Sequence, residues 1–207
     1  MTLVQPEALD LEVPEESVEA PLPGAVWTLH LDREKLLYAL FIALALAMRL
    51  WDLGVRVMSH DESLHTQFSW HLYRDLGYQH TPLMHGPFLF HATAFSYLLF
   101  GDNDFTARLP VALLGVALVA LPYFLRRWLG RAGALATSLG FLISPAILYY
   151  SRYIRHDIPV ILWSLLTITL AFSYLESPRE RKLYGIAAAL SLMYATKEVA
   201  FIYTAIL

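Results

Sequence analysis

Long uninterrupted apolar runs constrain this chain more than any other feature. Residues 36–48 are apolar throughout, and the run reaches Leu53 with only Arg49 and Asp52 near its end. Residues 109–125, 132–150 and 158–175 form three more runs. Each approaches the roughly 20 residues that cross a bilayer. A shorter run, 183–195, is followed by Lys197, whose stem can lie along apolar surface while its ammonium reaches water. A sixth begins at Val199, and the sequence stops within it, which reads as the N-terminal part of a longer chain. A soluble helical core would need polar faces at helical spacing, which these runs lack. The expected fold is therefore all-α, a polytopic transmembrane helical bundle. Spans are expected near 34–53, 109–125, 132–150, 158–175, 183–196 and 199–207.

Composition supports this class. Only 16% of the residues are charged and 57% are hydrophobic, where a soluble domain has about a quarter charged. With no cysteine, thiol catalysis and disulfides are excluded. Residues 1–25 hold six acidic residues, no Lys or Arg, and four prolines, the composition of a disordered tail. That tail is expected to be cytoplasmic and to precede one membrane domain, 26–207. Much of the net charge of −3 comes from it. No feature suggests nucleic-acid binding.

Short loops rich in Lys and Arg stay on the cytoplasmic side. Arg33 and Lys35 precede the first span; Arg126, Arg127 and Arg131 fall between the second and third; Arg179, Arg181 and Lys182 fall between the fourth and fifth. All three places fall on one side. The extracytoplasmic face then receives the loop 54–108, the stretch SRYIRHD (151–157) and TKE (196–198). The long loop reads as two interfacial helices. Ser59 can cap one reaching about Gly77, with Leu64, Phe68, Leu72 and Leu76 as a membrane-facing stripe; after a break at TPLMHGP (81–87), residues 88–100 form the other.

Polar residues collect on that same face. Residues 58–91 hold six of the eight histidines and the pair Asp61 and Glu62. Arg152, Arg155, His156 and Asp157 lie together, Lys197 and Glu198 follow the fifth span, and Arg108 sits at the outer end of the second. Ionisable groups at a membrane boundary are costly unless paired or hydrated, and they mark functional sites. Taken singly, each has a plainer role as a helix cap or interfacial anchor. Asp61 and His65, four apart on one helix face, together with His60 or His85, are candidate ligands for a divalent cation. Their spacing matches no specific zinc motif. No Gly-rich phosphate loop or nucleophile elbow is present.

The order of these elements resembles the C-type glycosyltransferases, within them the protein O-mannosyltransferase and aminoarabinose transferase branch. The strings SHDESLH, HTPLMHGPFLFH, ARLP, SPAILYYSRYIRHD and YATKE most resemble its flippase-activity-associated subgroup of archaeal-type N-glycosylation. The resemblance covers about residues 34–207 and implies a polyprenyl-phosphate sugar donor with a protein, lipid or glycan acceptor. Asp61 matches the family's acid, a base or acceptor orienter, with Glu62 as its partner and Asp157 as a second acid. Arg152, Arg155, Lys197 and Arg108 lie where lipid-phosphate contacts are expected. The implied activity is inverting sugar transfer at the outer membrane face. The competing expectation is a non-catalytic lipid-linked-sugar flippase or accessory protein, which would bind the phosphate without needing Asp61.

Overall fold

The computed structural model describes residues 32–78 and 84–206. The acidic tail expected at 1–25, His80, and residues 81–83 of the expected break lie outside the described residues. All regular elements among the described residues are helical, and no strand occurs among them. In chain order they are α1 (Arg33–Leu50), α2 (His60–Tyr73), α3 (Phe88–Phe100), α4 (Asp104–Ala120), α5 (Pro122–Ile143), α6 (Pro145–Ser151), α7 (Asp157–Glu176), α8 (Glu180–Tyr194) and α9 (Ala200–Ile206).

Local chemistry sets the boundaries. Ser59 and Glu62 form a reciprocal capping box at the start of α2, and Asn103 with Thr106 forms another at the start of α4. Pro122 and Pro145 occupy first-turn positions, where a missing N–H costs nothing. Residues 132–150, expected as one span, break at Ser144, because a residue before proline is pushed out of helical geometry. Within α5 the helix breaks at Gly130, whose φ of 70° and ψ of 164° suit glycine alone. Pro110 lies inside α4 and cannot donate to the Thr106 carbonyl one turn earlier. Ser96 of α3 supplies that missing donor, 2.7 Å away.

Helix α4 is central and packs against α1, α3, α5, α6 and α7. One apolar cluster joins Leu89, Val111, Leu118, Ile154, Ile158 and Leu162; a second joins Ala45, Val116, Val119 and Leu142. Two stretches among the described residues are long and apolar enough to cross a membrane: Asp104–Ile143, which includes α4 and α5, and Asp157–Glu176. The other apolar helices are shorter or more charged. Helix α1 carries Arg33, Glu34, Lys35 and Arg49 within 18 residues, and α8 has 15 residues.

The bundle has two distinct polar ends. Arg131 pairs with Glu34 at 3.4 Å and Arg127 with Glu176 at 2.6 Å, which brings the basic links to the N-terminal end of α1. At the other end of α1, Arg152 donates to the carbonyls of Met48, Trp51 and Asp52 at 2.8, 2.6 and 3.3 Å. These carbonyls lie at a helix end, where intrahelical partners run out. Eighteen residues of helix span about 27 Å, so the two ends are well separated.

Candidate active site

Glu62 organises the end of the bundle opposite the basic links. The helix turn that caps α2 rotates its carboxylate into the bundle, where it is 0% exposed. Its Oε1 accepts from Arg108 Nε at 2.9 Å and from the Ile154 amide at 3.3 Å. Its Oε2 accepts from Arg56 Nη2 at 2.9 Å, Arg108 Nη2 at 3.2 Å and the Ser59 amide at 3.1 Å. Arg108 completes its own shell by donating to the Leu53 carbonyl at 2.9 Å. A buried charge is tolerated only when it is paired and hydrogen-bonded in this way. Burial pushes the Glu62 carboxyl up, but its bonds to Arg108, Ser59 and Ile154 outweigh this and hold it below the usual carboxylate range. One side chain thus ties the start of α2 to α4 and to the segment that leads into α7.

With Glu62 turned inward, its neighbour Asp61 is exposed and lines a cavity of about 120 Å³. His65, His85, Arg155, His156 and Lys197 share the lining. The opening stretch of α2 therefore presents an inner and an outer acid from adjacent positions. The face that α2 buries is polar, made of Glu62, His65 and Ser69; the expected apolar stripe is only half-buried at Leu64, Phe68 and Leu72, and Leu76 is exposed.

Main-chain bonds assemble the opposite wall. Gly86 N donates to the Thr196 carbonyl at 3.1 Å, and Phe88 N to the Ala195 carbonyl at 2.9 Å. A Cβ on Gly86 would overlap the Ala195 carbonyl, so only glycine allows this approach. The docking brings His85 Nδ1 within 2.8 Å of a Glu198 carboxylate oxygen. Behind the cavity, Asp157 at the start of α7 accepts from Lys197 at 3.1 Å and pairs with Arg155 at 3.4 Å.

Three imidazoles sit between these walls. His65 Nδ1 lies 2.7 Å from the Asp61 carbonyl, which can only accept. The proton therefore belongs on Nδ1, and neutral His65 carries a free lone pair on Nε2. That Nε2 is buried and lacks a partner among the described residues, as does His156 Nε2. The His156 ring lies 5.0 Å from His65 and 5.2 Å from His85, and His65 stacks on Phe90 at 5.3 Å. Burial, reinforced by the neighbouring His65, His85 and Lys197, pushes the His156 imidazole down to about 3. His65 is lowered as well, mainly by burial.

Of the residues singled out by sequence, the structure brings Asp61, His65, His85, Arg155 and Lys197 to one cavity, with Asp157 beside the two cations. Glu62 and Arg108 are turned inward together, and Arg152 is engaged on the end of α1. His60 is exposed and outside the cavity lining. Asp61, His65 and His85 do not gather as a ligand set: among the described residues, no three His, Asp or Glu side chains are placed to hold a metal ion. Sequence reasoning assigned no role to His156 or Arg56. The Arg-His-Asp string is the signal for the first; no motif marks Arg56.

No curated protein and no solved structure gives a significant match to the chain. A family model for dolichyl-phosphate-mannose-protein mannosyltransferases matches residues 84–207. The matched stretch contains His85, Arg155, His156, Asp157 and Lys197, whereas Asp61 and His65 lie ahead of it. All-helical architecture, two membrane-length apolar stretches and this match agree: the chain belongs to the dolichyl-phosphate-mannose-protein mannosyltransferase family, a group of C-type membrane glycosyltransferases.

Proposed function

We propose that the chain transfers a sugar from a polyprenyl-phosphate donor to an acceptor hydroxyl at the extracytoplasmic membrane face, with inversion. The observation that carries this reading is one cavity holding a solvent-facing carboxylate, Asp61, with two cations, Arg155 and Lys197, supplied by other elements. A lipid-borne donor needs no nucleotide-binding domain, in keeping with the absence of any phosphate loop. The assignment to the extracytoplasmic side is supported by the basic links, which gather at the end opposite this cavity.

In this reading the acceptor oxygen attacks the anomeric carbon while the bond to the lipid phosphate oxygen breaks. Asp61 takes the acceptor proton as the new bond forms, a contribution of about 10²–10⁴-fold. Arg155 and Lys197 stabilise the charge that develops on the departing polyprenyl phosphate. Asp157 orients both cations. A single displacement with one base and no covalent intermediate inverts the anomeric centre. Glu62, Arg108 and Arg152 act as scaffold, holding α1, α2 and α4 around the cavity.

The test is sugar transfer from a purified polyprenyl-phosphate sugar by reconstituted wild-type chain and Asp61→Asn, with donor retention measured in parallel. Asp61→Asn is expected to lose transfer by about 10²-fold or more while keeping wild-type helicity and donor binding. Full transfer by a folded Asp61→Asn chain defeats the assignment. Donor binding without transfer by the wild-type chain instead favours a flippase or accessory role.

A further inference from the structure

At the end of the bundle opposite the candidate active site, α5 contains an elbow. Residues 122–129 continue the helix from α4 through Leu121, whose backbone angles are helical, and end at the glycine-only geometry of Gly130. The segment is amphipathic. Leu125 is buried against the bundle, Phe124 and Leu129 are 63% and 47% exposed, and Arg126 and Arg127 flank them. A helix with exposed apolar side chains interleaved with arginines suits the headgroup boundary of a bilayer.

A cavity of about 470 Å³ opens here, lined by Tyr123, Phe124, Arg126, Arg127 and Arg131. Two of the three arginines are already paired, Arg127 with Glu176 and Arg131 with Glu34. Arg126 differs. Its guanidinium lies 3.8 Å from the centre of the Tyr123 ring, and among the described residues no carboxylate lies within ion-pair distance of it. The stack and a hydrogen bond to Tyr123 hold the guanidinium in place, and Glu34 acts on it only from beyond ion-pair distance. The surrounding charge is also cationic. Arg33 and Lys35 flank Glu34, and Arg179, Arg181 and Lys182 follow Glu176. The acids on these elements are Asp32, Glu34, Glu176 and Glu180, fewer than the bases.

We propose that this cavity is a binding site for the phosphate of an anionic phospholipid headgroup, with Arg126 as its principal cation and Phe124 and Leu129 beside the acyl chains. The preorganised guanidinium supplies a planar fork for phosphate oxygens. The exposed aromatic and aliphatic side chains distinguish a lipid from a free anion. The site is independent of sugar transfer, and its test reads lipid binding alone.

The experiment compares lipid retention by the chain in nanodiscs of phosphatidylcholine doped with phosphatidylglycerol, followed by native mass spectrometry. Wild type is expected to keep one phosphatidylglycerol in preference to phosphatidylcholine. Arg126→Gln lowers that preference by about fivefold, the factor one cation near an anionic surface contributes. Arg126→Lys keeps most of it. Arg74→Gln, which removes a cation at the opposite end, leaves it unchanged. Equal retention by wild type and a helical Arg126→Gln chain overturns the site, as does an equal loss in Arg74→Gln. Displacement of the lipid by millimolar inorganic phosphate overturns the lipid assignment in favour of a free-anion site.

Discussion

At the scale of single residues, the two adjacent acids of α2 have opposite fates. Asp61 faces the cavity, and Glu62 satisfies five donor contacts inside the bundle. Truncating one partner of a buried ion pair strands the other, so Glu62→Ala is expected to cost about 3–5 kcal/mol, measured by thermal or denaturant unfolding in detergent. His156 sets an acid limit on stability. Its folded value of about 3 lies below its ordinary 6.5, so the unfolded chain binds the extra proton. The contribution is complete above about pH 6.5 and is lost progressively as pH falls toward 3. Unfolding midpoints are expected to drop through that window, and His156→Phe flattens the drop. Glu62, also held low, adds its own loss only under more acid conditions, as pH falls below the ordinary carboxylate range. The sequence marked which residue types gather at the cavity end, because ionisable groups interrupt apolar runs there. It did not show which way each side chain turns. Arg108 and Arg152 look alike as basic residues near helix ends, but one meets a buried acid and the other a set of helix-end carbonyls.

Helix positions were largely legible at the scale of elements, since apolar runs and capping residues report directly on where backbone must hydrogen-bond internally. The expected interfacial helices correspond to α2 and α3, although α2 ends at Tyr73 rather than near Gly77. The breaks at Ser144 and Gly130 were missed, because apolar content alone does not register a change of backbone angle. The docking of residues 86–88 on 195–196 was also invisible, since main-chain pairing leaves no side-chain pattern. It yields a sharp expectation. In Gly86→Ala the added methyl meets the Ala195 carbonyl, which forces the strap away from its partner. A loss of about 1–3 kcal/mol follows, together with loss of the His85–Glu198 contact, readable as a lower unfolding midpoint and faster amide exchange at Gly86 and Phe88.

For the whole molecule, orientation in the bilayer is the central expectation. The absence of native cysteine makes single-cysteine labelling clean. Asp75→Cys, in the loop after α2, is expected to react with a membrane-impermeant maleimide on intact cells. Glu180→Cys, at the start of α8, reacts only after permeabilisation. The reverse pattern places the candidate cavity on the cytoplasmic side and removes the basis for the proposed acceptor. The shared Glu62 carboxylate also shapes how this chain can change over evolutionary time. Once that acid is gone, losing Arg108 relieves an uncompensated cation instead of adding a second defect. The two substitutions are therefore epistatic, each harmful alone and milder in company. Exchange of this cluster is therefore expected to be tolerated best when both positions change together.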